Sequence, residues 1–408
     1  MIRSIEVTDW KSYKSATLYL DPLTVLIGAN SGGKSNILDC LRFLQRVASG
    51  KDLKSSILGD GDFPGVRGGI EWVARKPQDE FRIEVAIEDE SQFEYVFSIQ
   101  VRVSTDCDLI EESLIRKNIS NQRQVALYKT VPVAVNSPGI SARLYNEKSG
   151  TIKNFSRTVS ILSQLASLEV RKEINDGVMV VAEMLRSIFV LDSVPSSMRG
   201  YSLLSSQLKF DASNISGVLA GLDPDNKKRV ENSLRDYCAH LPEGEILRVW
   251  SETVGRFNAD AMLYCEERWS ENSSIIVDAR GMSDGTLKFL ATLVALLTRP
   301  EKSLLVVEEV DNGLHPSRAD LLLKTLLEVG RQRRIDVLIT SHNPALLDAL
   351  GTEYVPFVVV AHRNRATGES QLALLEDIKS LPKLLARGLV GELSADGLIE
   401  KALSAGEG

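Results

Sequence analysis

An α/β fold built on a mostly parallel sheet is predicted by three features of this 408-residue sequence. The run Gly28-Ala29-Asn30-Ser31-Gly32-Gly33-Lys34-Ser35 fits the pattern G-x-x-x-x-G-K-[ST] and lies between a strand-like and a helix-like segment. From about residue 206, buried strand-length runs alternate with stretches of helical spacing, the arrangement of a sheet covered on both faces. Before residue 105, apolar and polar residues alternate, which marks half-buried antiparallel strands.

The first unit, 1–105, opens with Ile2 to Val7 and Ala16 to Leu20, which alternate as paired strands do. Leu23-Thr24-Val25-Leu26-Ile27 then reads as a short buried strand, and Asn36 to Leu44 carries apolar residues at helical spacing. Phe81, Ile83, Val85 and Ile87, followed by Phe93, Tyr95, Phe97, Ile99, Val101 and Val103, complete an antiparallel β subdomain. Across 106–205 the alternation fades and charge rises. There Ile161, Leu165 and Leu168, then Ile174, Val178, Val181, Leu185 and Ile188, predict one or two helices broken near Asn175-Asp176-Gly177, in a helical arm or lever. That stripe reads as core or helix-pairing surface rather than a ligand box. The third unit, 206–372, predicts a helix over 224–238, strands near 246–250 and 275–277, and a helix over 286–297. A buried strand at 304–307, a helix over 317–331 and a buried strand at 337–340 follow, and 373–408 is expected to be a helical tail.

Composition sets the class of molecule. Hydrophobic residues at 43% and charged ones at 25% are the balance of a globular protein with a sizeable core. A formal charge of −7 argues against a surface saturated with nucleic acid, while 48 Lys and Arg leave room for a local basic groove. Cys40, Cys107, Cys238 and Cys265 are scattered without a C-x-x-C pair, so neither a zinc site nor a disulfide framework is expected and a reducing cytoplasm fits. The longest apolar run, 289–297, is far short of the ~20 residues that cross a bilayer, and a signal peptide is not expected ahead of the first strand.

The chemistry concentrates at a few turns. A strand, a glycine-rich turn and a helix start form an anion cradle, with backbone N–H groups and the positive helix end facing phosphate. Lys34 should reach the outer phosphates and the Ser35 hydroxyl should ligate magnesium, the glycines sparing the polyphosphate a collision with a Cβ. A match to this pattern arises by chance in on the order of 1% of chains this long, so a nucleoside triphosphate is the expected ligand. Glu308 and Glu309 end the 304–307 strand, where a neighbouring parallel strand would present a magnesium-ordering acid and a base for water. Ser341-His342 ends the next strand, where a histidine can donate to a γ-phosphate. Gly281-Met282-Ser283-Asp284-Gly285-Thr286 starts a helix and makes a second anion-binding end, although a plain capping turn has the same appearance.

In this order the motifs resemble ABC-type ATPase heads of the SMC/RecF/OLD group, most closely the stand-alone AAA family ATPases grouped as AAA_21. Ile5 to Lys14, with its aromatic-basic-Ser-aromatic Trp10-Lys11-Ser12-Tyr13, is similar to the family's start, and the loop continues into Asn36 as in these heads. Met282 to Thr286 resembles the ABC signature, Glu308-Glu309 Walker B, Asp311-Asn312-Gly313 through Pro316 the D-loop, and Thr340-Ser341-His342 the switch histidine. Phe210-Asp211-Ala212-Ser213-Asn214 also resembles a segment of these proteins. The pattern departs at Glu308 (usually Asp), at Met282 and Asp284 (usually Leu and Gly), and at Val310 (usually Pro); Gln78 is the one Q-loop candidate.

The resemblance implies an ABC-ATPase head that hydrolyses ATP with Mg2+ and closes as a homodimer, with larger oligomers open. Asn30, Ser31, Gly32, Gly33, Lys34, Ser35 and Asn36 would bind nucleotide in cis, with Ser35 and Glu308 on the metal. Ser283 and Gly285 would meet the γ-phosphate in trans, Glu309 would be the base, His342 the sensor, and Asp311, Asn312 and Gly313 the D-loop. Three functions fit such a head. The first is the sensor or scaffold subunit of a two-component anti-phage defence system, acting on a separate nuclease or toxin from a neighbouring gene. The second is a RecF-like repair ATPase with DNA as partner, for which Lys227-Lys228-Arg229 and Arg331 with Arg333-Arg334 are the candidate clusters. The third is a non-hydrolysing ATP-bound scaffold. No membrane partner is expected.

Overall fold

The computed structural model describes residues 1–29, 31–61, 63–132, 137, 139–146, 149–239, 246–311, 319–349 and 351–406. Strands β1 (Ile2–Trp10), β2 (Tyr13–Tyr19) and β3 (Leu23–Ile27) lead into α1 (Lys34–Ala48), α2 (Leu53–Leu58) and α3 (Gly69–Val73). An antiparallel run follows: β4 (Glu80–Glu88), β5 (Phe93–Val103), β6 (Cys107–Asn118), β7 (Gln124–Val131), β8 (Gly139–Leu144) and β9 (Thr151–Ser156). Next come α4 (Ile161–Leu165), α5 (Lys172–Arg186), β10 (Phe189–Leu191), α6 (Pro195–Met198), β11 (Ser202–Leu203), α7 (Ile215–Gly221) and α8 (Pro224–Ala239). Strands β12 (Ile246–Val254), β13 (Asp260–Ser270) and β14 (Ser273–Asp278) precede α9 (Asp284–Thr298), β15 (Leu304–Val307), α10 (Ala319–Arg333), β16 (Asp336–Thr340) and α11 (Pro344–Ala349). The chain ends through β17 (Val358–Arg363), β18 (Ser370–Leu374), α12 (Leu381–Leu385), α13 (Val390–Ala395) and α14 (Leu398–Gly406).

Among the described residues, one 14-stranded sheet runs in the order β10-β15-β16-β3-β17-β18-β2-β1-β4-β5-β6-β7-β8-β9. Its first five strands are parallel. Those strands read as unbroken apolar runs because both faces are covered. Leu305 and Val307 of β15 point into one core and Leu304 and Val306 into the other, and β3 divides the same way, Leu23, Val25 and Ile27 against Leu26. The first core takes in α7 to α10 and the small sheet β11-β13-β12 with β14; the second lies under α1, α4, α5 and the antiparallel strands. Among the described residues no helix is long and apolar enough to cross a membrane.

Two expectations need correction. The segment 106–205 is not a helical arm throughout, because β6 to β9 extend the sheet before any helix forms. The expected break at Asn175-Asp176-Gly177 does not exist either: α5 runs through it, and the helical interruption falls at 166–171. Gly177 lies where a Cβ would stand 2.3 Å from Leu127 Cδ1 and 3.0 Å from Tyr95 Cε1. It lets α5 approach the sheet closely.

Candidate functional site

Parallel neighbours end at the same edge of a sheet, so β15, β16 and β3 deliver Glu308-Glu309, Ser341-His342 and the glycine-rich loop to one place. The acid strand is not adjacent to the loop strand as expected, because β16 lies between them. The hydroxyl of Ser35, on the first turn of α1, still comes within 3.4 Å of Glu308 Oε1.

The loop's glycines answer to protein rather than to ligand alone. Gly28 has φ +132°, and a Cβ there would stand 2.0 Å from the Ala361 carbonyl oxygen of β17; at Gly32 the same oxygen would be 2.2 Å away. Gly33, φ +113°, would meet the Tyr13 hydroxyl at 2.6 Å. Beneath them the Trp10-Lys11-Ser12-Tyr13 turn braces α1. Trp10 Nε1 donates to the Asn36 carbonyl (2.7 Å), Asn36 Nδ2 donates to Ser12 Oγ (2.7 Å), and Lys11 Nζ pairs with Asp39 (2.6 Å). Asn36 therefore spends its amide on the brace. Lys34 is buried, its ammonium donating to the carbonyls of Gly28 and Ala29. Burial lowers its pKa, and Glu309, Glu400 and Glu308 pull it back up. Ser31 is exposed, while Asn30 lies outside the described residues.

A set of charges outside the loop and strand-end motifs surrounds Glu308. Arg67 Nη2 lies 2.7 and 2.8 Å from its two oxygens and Arg42 Nη2 lies 3.1 Å from Oε2. Arg42 also donates to Asp39 (3.3 Å), whose side chain is fully buried. Asp192, just past β10, has its carboxyl pushed up by burial and by Glu308, against Arg42, Arg67 and Lys288. The available signal was Asp39 and Arg42 at i, i+3 inside an otherwise apolar stretch of α1.

Glu309 is exposed, with φ +47°, and its N–H donates to Thr340 Oγ1 (2.9 Å). Its carboxylate lies 3.9 Å from His342 Nδ1. Asp311 is buried, and burial raises its pKa against hydrogen bonds from Ser341 and Asn343. Asn312 and Gly313 lie outside the described residues. In the segment that resembles a signature, Ser283 caps α9, accepting from Thr286 N (3.1 Å); it is exposed whereas Gly285 is buried. Among the described residues no hydrogen bond or ion pair joins 281–285 to 28–35. Gln78 is exposed in the turn before β4. The candidate DNA clusters are largely engaged: Lys227 donates to Ser251, Arg333 to the carbonyls of Leu296 and Arg299, and Arg334 pairs with Glu90.

Magnesium takes hard oxygen ligands and keeps several of its waters when phosphates share its coordination. The Ser35 hydroxyl and a Glu308 oxygen converge below the loop, and among the described residues no group of three His, Cys, Asp or Glu side chains could hold a metal unaided. The chemistry of that donor set fits an ion brought in with a nucleotide, which would take over the place that Arg67 holds on Glu308.

A family model described as "AAA domain, putative AbiEii toxin, Type IV TA system" (AAA_21) matches residues 23–348. No curated protein matches the sequence. Among solved structures, an SMC head bound to the C-terminal winged-helix domain of ScpA aligns with TM-score 0.51 at 13% identity, covering 91% of this chain and 96% of that one. An SMC head from Thermotoga maritima gives 0.44 at 14% identity over 91% and 98% of the two chains. An Smc head with an extended coiled coil, bound to a ScpA domain derived from Pyrococcus furiosus, gives 0.49 at 12% over 94% and 99%. At such identities the likeness is one of fold, and it rests on the first of the three.

Proposed function

The chain belongs to the AAA_21 family and has the fold of an SMC-type ATPase head, and we propose that it binds and hydrolyses ATP in a homodimer, each nucleotide lying between the loop of one copy and the signature segment of the other. The observation that carries this reading is the convergence of three parallel strand ends, which brings the loop, two acids and a histidine together. Lys34 would take the outer phosphates, and Ser35 and Glu308 would hold hydrated magnesium. Bound there, the ion supplies positive charge to the phosphate oxygens. Glu309 would accept a proton from the attacking water and His342 would hydrogen-bond the γ-phosphate. Asp311 fastens the acid turn to the histidine strand, and Asn312 and Gly313 would continue the D-loop toward the partner.

ATP-driven closure would then control a separate effector, a nuclease or toxin from a neighbouring gene, in a two-component anti-phage defence system. The first SMC head is bound to a domain of another protein, which supports a protein partner. All four cysteines are buried thiols outside any disulfide, and a cytoplasmic setting is the one in which thiols stay reduced.

Mixing two dead variants tests the sandwich. Lys34→Ala destroys one half of the pocket and Ser283→Arg the other, so a mixed dimer keeps one complete site. An equimolar mixture should regain about a quarter of the unmutated phosphate-release rate, since half the dimers are mixed and each has one working site. A mixture as inactive as its components would overturn the shared pocket.

A further inference from the structure

The signature segment carries an apparent fault, Asp284, a carboxylate beside the serine that would meet phosphate. The structure pairs that carboxylate with a residue far away in sequence. Arg199 directly follows α6, and its Nη2 lies 2.5 Å from Asp284 Oδ1. Its Nη1 lies 3.1, 3.0 and 2.8 Å from the carbonyl oxygens of Ala279, Arg280 and Met282. One guanidinium therefore grips the whole segment that leads into α9.

Two consequences follow. A trans peptide sets its C=O and the next N–H on opposite sides, so the Met282 carbonyl turned to Arg199 points the Ser283 N–H away from it. That N–H then joins the donors at the start of α9, which attract anions. The second consequence is electrostatic. Asp284 is favourable at the helix start in the free molecule, yet it would repel an arriving phosphate. Arg199 offsets that charge, whereas Arg280 of the same segment is committed to Asp278 at 2.5 Å. A lysine could offset the charge but could not span a carboxylate and three carbonyls.

We propose that Arg199 is a positioning residue, which holds the signature segment in register and cancels Asp284 for the phosphate of the partner's nucleotide. The second half of this inference rests on the sandwich reading. The test uses full-length Glu309→Gln, which should accumulate the ATP-bound dimer, measured by sedimentation with ATP and magnesium. Adding Arg199→Ala should weaken dimerisation about tenfold, and adding Asp284→Asn to that variant should recover part of the loss. Arg199→Lys should fall between them. In nucleotide-free protein, hydrogen exchange of the 280–285 amides should quicken about tenfold in Arg199→Ala while β15 amides stay protected. Unchanged exchange, or unchanged dimer affinity, overturns the proposal. If Glu309→Gln itself never dimerises, the sandwich reading fails and takes the role toward the partner's phosphate with it; the exchange result still decides whether Arg199 holds the segment.

Discussion

Glu309 turns the backbone left-handed, φ +47°, where a side chain costs roughly 1–2 kcal/mol. The turn aims the exposed carboxylate at the edge shared by the loop and His342, with Thr340 Oγ1 fixing its N–H. Two substitutions separate strain from chemistry. Glu309→Gln keeps the strain and removes the base, so phosphate release should fall about 100-fold or more while nucleotide binding persists. Glu309→Gly relieves the strain but adds about 0.5–1 kcal/mol of unfolded-state entropy, so stability should rise by at most about 1.5 kcal/mol as turnover is lost. Urea midpoints and phosphate release on both variants check this; a large destabilisation in Glu309→Gly would mean that the turn is not strained. The placement of Lys34, Ser35, Glu308 and His342 at the ends of parallel strands is legible because strand–turn–helix and strand–acid patterns are local. That of Arg67 is not, because a cation on the loop before α3 says nothing about the carboxylate it meets 241 positions later.

Elements that bury both faces or alternate strictly were read correctly: β3, β4, β5, β15 and β16 all sit where expected. The failures have a common physical origin. β9 shows only Phe155 to the core, and β6 carries charges on its half-buried face, so neither presents a clean period of two. Position 177 failed differently. A glycine inside a helical pattern signals either a break or a close approach, and sequence does not distinguish them. Gly177→Ala should decide the magnitude here. Alanine gains about 1 kcal/mol of helix propensity, but its methyl group would stand 2.3 Å from Leu127 Cδ1, and overpacking costs about 1–3 kcal/mol. Net destabilisation is expected in chemical denaturation; a more stable variant would show that α5 moves freely off the sheet.

Stability of the whole molecule should carry a pH signature from a group outside the nucleotide site. Glu112 on β6 is fully buried and accepts from the Tyr128 hydroxyl (2.7 Å) and from the N–H groups of Ile161 (3.1 Å) and Leu162 (2.7 Å), tying the antiparallel sheet to the start of α4. Burial pushes its pKa up to about 7, against the pull of those hydrogen bonds. Between the unfolded value, 4.5, and about 7 the folded protein therefore holds a proton that the unfolded chain has released. Stability from this group is complete below pH 4.5, declines as pH rises, and levels off above about 7. Salt-bridged carboxylates act in the opposite sense, so the total profile mixes signs and only a difference isolates Glu112. Glu112→Gln cannot titrate and loses one acceptor facing Ile161, so it should be less stable than the parent at pH 4.5. That gap should close by roughly 3 kcal/mol by pH 8, at about 1.4 kcal/mol for each pH unit. Urea midpoints of the pair at pH 4.5, 6 and 8 measure it. A gap independent of pH would mean that Glu112 stays ionised in the folded protein, with its three donors outweighing its burial.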